Sequence, residues 1–66
     1  MRIVVNGRPS DVAEGTTLPG LIESLGLRVG SVVVEHNGAA LLRSELAAAT
    51  LGDGDRLELV RAVAGG

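Results

Sequence analysis

The chain has 66 residues, eight acidic side chains against six basic ones, and a formal net charge of −2. A length this short holds one domain, 1–66, and buries only about 60% of the surface that its unfolded form exposes. Cys, Phe, Tyr and Trp are absent and every basic residue is Arg, which excludes disulfides, thiolate metal sites, a cysteine nucleophile, a Schiff-base lysine and the aromatic platforms on which single-stranded nucleic acid stacks.

Arg2 to Val5 is β-branched and ends at Asn6-Gly7, the dipeptide that best accepts the positive φ values of a type I′ hairpin turn. The return arm, Arg8 to Val12, contains Pro9 and therefore suits an edge strand, since proline donates nothing to a central ladder. Thr16 and Thr17 offer a helix N-cap, and Leu18, Leu21, Ile22 and Leu25 follow at i, i+3, i+4 and i+7 as one apolar stripe. Pro19 is tolerated in the first turn, and Gly26 stops the helix. After a loop around Gly30, Val32 to Glu35 predicts a strand, and His36-Asn37-Gly38 a second hairpin turn into Ala39 to Leu42. Ser44 and Glu45 start a short helical turn through Ala49. Gly52-Asp53-Gly54-Asp55 is a tight turn before a last strand from Arg56 to about Arg61. About five strands around one helix give an α+β layer, with one face of the sheet packed on that helix.

No apolar run approaches the roughly 18 residues of a membrane span. The opening strand leaves no room for the apolar core of a signal peptide, so a cytoplasmic location and no membrane or nucleic-acid partner are expected. Candidate catalytic groups are sparse. His36 has no second His beside it and reads as a solvated turn residue. Ser10, Ser24, Ser31 and Ser44 lie in no Gly-x-Ser-x-Gly elbow. Asp53 and Asp55 lack the ligand spread of a calcium loop, so no metal is expected. What remains is the ending Val63-Ala64-Gly65-Gly66. With glycine at 10 of 66 positions, a Gly-Gly end arises by chance about 2% of the time. Residues 62–66 are either a frayed tail or a flexible functional one. In the second case the side-chain-free end threads a narrow channel and brings Gly66 close to a reacting phosphate.

These stretches resemble, over the whole length, the ThiS family of ubiquitin-like sulfur carriers of thiazole synthesis in the thiamine pathway. The resemblance lies in the opening strand with Asn6-Gly7, in Gly15-Thr16-Thr17-Leu18 running to Leu21-Ile22-Glu23-Ser24-Leu25-Gly26, in Val34-Glu35-His36-Asn37-Gly38, and most specifically in Leu51-Gly52-Asp53-Gly54-Asp55 through Val63-Ala64-Gly65-Gly66. It implies a β-grasp fold, with the first and last strands parallel neighbours in mid-sheet. It also implies a protein cosubstrate, itself no enzyme and binding no cofactor. An E1-like adenylating partner (ThiF type) uses MgATP to activate the Gly66 carboxylate, and Val63, Ala64 and Gly65 occupy the partner's channel. A persulfide donor such as a cysteine desulfurase supplies sulfur, and the Gly66 thiocarboxylate passes it to thiazole synthase (ThiG type). Family members often carry Val where this chain has His36, Pro where it has Leu42, and an aromatic residue near Leu46. A molybdopterin-type or other sulfur carrier, and a non-covalent β-grasp module with an inert tail, are the alternatives; the carrier alone is expected to be a monomer.

Strand alternation adds a docking expectation. Ile3, Val5, Val32, Val34, Leu57 and Leu59 face the helix, so Val4, Val33 and Val60 point away from it. With the three strands adjacent, those valines are expected to form one contiguous partner-binding stripe; the alternative is three scattered surface valines.

Overall fold

A computed structural model describes residues 1–62. Among them, β1 (Arg2–Val5), β2 (Arg8–Asp11), β3 (Val32–His36), β4 (Ala39–Ala40) and β5 (Arg56–Arg61) form one sheet. The strand order is β2-β1-β5-β3-β4. β1 and β5 run parallel in mid-sheet, and the other neighbours are antiparallel. The helices α1 (Leu18–Ser24) and α2 (Arg43–Ala48) and a 3-10 turn at Val29–Ser31 lie in the crossover between those parallel strands. This is the mixed sheet of a β-grasp, with α1 across one face.

Both Asn-Gly pairs form the expected two-residue hairpins, with φ of 50° at Asn6 and 52° at Asn37, each followed by a positive-φ glycine. β2 is an edge strand, and its phase explains Pro9. Met1 and Val12 exchange two backbone hydrogen bonds, so by strict alternation the N position of Pro9, opposite Val4, points off the sheet where no ladder donor is needed. In α1 the Thr17 hydroxyl accepts from the Gly20 N–H at 3.1 Å, and Gly26 at φ 78° ends the helix.

Several boundaries differ from the expectation. β2 stops at Asp11, and β4 holds only Ala39–Ala40, although the Leu41 N–H still donates to the Val34 carbonyl. α2 starts at Arg43 rather than Ser44 because Glu45 Oε1 accepts from the Leu42 N–H at 2.7 Å and caps the helix one residue earlier. Leu25 continues the spacing of the apolar stripe but is 50% exposed. It is the C-cap residue of a helix that has already ended at Ser24, so the 3.6-residue repeat no longer governs where it lies.

The core is aliphatic throughout: Ile3, Leu18, Leu21, Ile22, Val34, Leu46, Leu51, Leu57 and Leu59. Each such side chain stabilises the fold by about 1.5–3 kcal/mol through burial. Helices of seven and six residues do not stand alone in water, so α1 and α2 exist because Leu18, Leu21, Ile22 and Leu46 are buried against the sheet. The Leu18 N–H to Ala49 carbonyl bond and the Leu51 N–H to Thr16 carbonyl bond tie the start of α1 to the end of α2.

At the start of β5, Asp55 gathers three donors: the Gly52 N–H at 2.8 Å, His36 Nε2 at 2.9 Å and Asn37 Nδ2 at 3.1 Å. His36 is therefore no solvated turn residue. It lies on the helix-facing side opposite Leu57, its side chain 22% exposed and paired to Asp55. Partial burial pushes the Asp55 carboxyl up, but the donors from Gly52, His36 and Asn37 outweigh it and hold the group below the ordinary carboxylate range. A depressed native value means that the stabilisation is complete above the unfolded value near pH 4 and is lost as pH falls through the lower native one. Asp55→Asn is expected to cost about 1–3 kcal/mol at neutral pH. Its urea midpoint should also fall less steeply than the parent's between about pH 5 and pH 2.

Candidate functional site

The site is organised by the end of β5. Val32 lies opposite Arg61, and the Ala62 N–H donates to the Ser31 carbonyl at 2.7 Å. Ladder bonding thus holds the chain through the Ala62 amide, one residue later than the expected start of the tail. Val63, Ala64, Gly65 and Gly66 lie outside the described residues. Four extended residues span at most about 14 Å from that fixed point. A shallow depression of about 250 Å³ lies beside it, lined by Leu27, Arg28, Ser31, Val32, Arg61 and Ala62.

The register of the sheet redraws the expected valine stripe. Val33 and Val60 are direct cross-strand partners on the face away from α1, 54% and 60% exposed. Val4 is not with them, because the parallel register sets it opposite Arg56, four residues and so about 13 Å along β5 from Val60. Leu42 takes the third place. The β3–β4 ladder runs His36 to Ala39 and Glu35 to Ala40, the Leu41 to Val34 bond continues it, and one further step brings Leu42 beside Val33. Leu42 has extended backbone and is 69% exposed. Val60, Val33 and Leu42 therefore form one apolar row across β5, β3 and the extended residues that follow β4, and Val60 lies two residues from Ala62. The signal was present in the hairpin arithmetic: a two-residue turn at Asn37-Gly38 pairs Val33 with Leu42.

His36 and Asp55, hydrogen-bonded to each other on the core-facing side, stand at the opposite end of β5. Seven residues separate Asp55 from Ala62, about 23 Å of strand, and a 14 Å tail does not close that distance. The pair belongs to the fold. Among the described residues no group of His, Asp and Glu is arranged to hold a metal ion, and no helix is long and apolar enough to cross a membrane.

A five-stranded mixed sheet with α1 across one face and β1 beside β5 in its middle defines a ubiquitin-like β-grasp domain. The ThiS family model matches residues 3–66, and the chain belongs to the ThiS family. It is 38% identical to a thiamine biosynthesis protein (ThiS) from Geobacter metallireducens, whose crystal structure superposes with a TM-score of 0.82 over 100% of both chains. The solution structure of a thiamine biosynthesis protein from the same organism gives 0.79 at 38% identity, over 100% of this chain and 88% of that one. Among curated relatives, thiazole synthases from Magnetococcus marinus and Paramagnetospirillum magneticum are 39% and 33% identical over 66 residues. The chain spans about a fifth of the length of these curated relatives, 20% of each.

The two sides of β5 are separable by mutation. Leu59 is 8% exposed and packs in the core, while its neighbour Val60 faces solvent. Leu59→Ser is expected to cost about 3 kcal/mol and Val60→Ser less than about 1 kcal/mol, compared by chemical denaturation.

Proposed function

We propose that this chain is a sulfur carrier of thiamine biosynthesis, acting through the carboxylate of Gly66. An E1-like adenylating enzyme joins that carboxylate to the α-phosphate of MgATP with loss of pyrophosphate. A poor acyl donor becomes an acyl adenylate with AMP as leaving group, and a sulfur nucleophile displaces AMP. When the sulfur arrives as a persulfide, the acyl disulfide so formed is cleaved by a second thiol, which ends in a disulfide and releases the Gly66 thiocarboxylate. The thiocarboxylate sulfur is then the nucleophile delivered to thiazole synthase.

The observation that carries this reading is the family match, which extends through Gly66, together with a β5 that hydrogen bonds as far as the Ala62 amide. A fixed exit followed by Val63, Ala64, Gly65 and Gly66 offers a short, slender arm with nothing bulkier than valine. Any channel shaped to glycine excludes a Cβ at its narrow end. Proteins named thiazole synthase contain a segment matched by this entire chain, which supports that enzyme as the consumer of the sulfur. The chemistry belongs to the partners, in keeping with the sparse set of candidate catalytic side chains here, and a cytoplasmic setting follows from those partners.

Removal of Gly66 and Gly65→Ala test the reading, because both lie beyond the last ladder bond at Ala62. Both variants are expected to fold within about 0.5 kcal/mol of the parent. Both should lose ATP-dependent conversion with the adenylating enzyme and a sulfur source, since a displacement of about 1 Å at a reacting group costs on the order of 100-fold. The readout is the oxygen-to-sulfur mass increase of the intact chain. A parent that is never converted, or a chain lacking Gly66 that is converted as fast as the parent, contradicts the carrier function.

A further inference from the structure

Next to the apolar row on the outer face lies a row of like charges. Glu58 of β5 stands directly opposite Glu35 of β3. The phase of that ladder is set by the Asn37 N–H to Arg56 carbonyl bond at one end and the Ala62 N–H to Ser31 carbonyl bond at the other. By alternation Glu35 and Glu58 occupy a hydrogen-bonded pair position, with Cα atoms about 5.5 Å apart. Both side chains are exposed on one face, and like charges directly opposite destabilise a sheet. Neither carboxylate forms an ion pair among the described residues. Arg2 is committed to Asp11, and Arg56, two residues before Glu58 on the same face, makes no ion pair with it. Residues 63–66 bring no side-chain cation.

We propose that the outer face of β5, β3 and β4 docks the adenylating partner, which sets apolar side chains against Val60, Val33 and Leu42 and a guanidinium or ammonium group between Glu35 and Glu58. The identity of that partner rests on the sulfur-carrier reading; the chemistry of its surface rests on this face alone. A cation placed between the two carboxylates relieves their repulsion and donates to both, so the strain of the free chain becomes affinity in the complex. The location suits activation. Val60 is two residues from Ala62, so a partner gripping this face has the anchored exit of the tail within about 7 Å. A second copy of the chain is the poorer occupant, because a two-fold contact on this face brings four carboxylates together against only two uncommitted guanidiniums, one Arg56 from each copy.

The experiment compares the full chain with the Glu35→Gln/Glu58→Gln double variant by calorimetric titration against the adenylating enzyme of the same host, at low and high salt. The variant is expected to bind on the order of tenfold more weakly at low salt, with a flatter salt dependence, and to melt a few degrees higher in isolation as the repulsion is removed. Glu23→Gln, an equal change of charge on α1, should bind like the parent. A double variant that binds as tightly as the parent with the same salt dependence overturns the proposal. So does a parent that dimerises through this face in sedimentation. Intact mass after addition of MgATP and a sulfur source separates the two readings. Salt- and carboxylate-dependent binding without conversion keeps the docking face and removes the carrier function, whereas conversion with unchanged variant affinity does the reverse.

Discussion

The sheet depends on how β5 is satisfied where its neighbours leave it. β1 and β3 each end in an Asn-Gly turn, and a chain that turns away strands the next backbone donor of the strand beside it. In both places the asparagine repairs the loss. Asn6 Oδ1 accepts the Leu59 N–H at 2.7 Å, and Asn37 Oδ1 accepts the Arg56 N–H at 2.8 Å. An unmet buried donor costs about 1–3 kcal/mol, so a positive-φ residue that both turns the chain and completes the ladder serves two needs at once. At Asn37 an amide is required, because its Nδ2 also donates to Asp55.

Held by these side chains and by parallel and antiparallel neighbours, β5 is bonded from Arg56 to the Ala62 amide. That continuity links fold to function. The position from which the last four residues depart is set by a strand bonded to neighbours on both sides, and the outer row of Val60, Val33 and Leu42 is set by the same register. The inner side of β5 meanwhile places Leu57 and Leu59 in the core. One strand therefore carries core packing on one face, an exposed apolar row on the other, and the point from which the last four residues depart.

An aliphatic core, nine buried residues among those described, leaves a domain this size a narrow margin. Its polar interactions consequently cluster where backbone groups need partners, at Thr17, Glu45, Asn6, Asn37 and Asp55, and among the described residues no buried residue has a polar side chain. In such a setting the opposed carboxylates of Glu35 and Glu58 stand out, being an arrangement with a cost and no return within the chain.

Much of this architecture was legible in the residues alone. The Asn-Gly pairs dictate hairpins because few residues accept positive φ, Pro9 marks an edge because it lacks a donor, and the spacing of Leu18, Leu21 and Ile22 marks a buried helix face because 3.6 residues make a turn. Parallel pairing of the first and last strands was read from family resemblance and not from any local pattern. Local rules failed where distant segments meet. Leu25 lies past the end of its helix, His36 is drawn to a carboxylate 19 positions away, and Val4 is parted from Val60 by the stagger of the parallel register, while Leu42 is brought beside Val33 by the hairpin. Alternation along a strand determines which side a residue faces, whereas the stagger between strands determines which residues become neighbours. That stagger is decided by hydrogen bonds between segments far apart in the chain, and only the tertiary structure contains them.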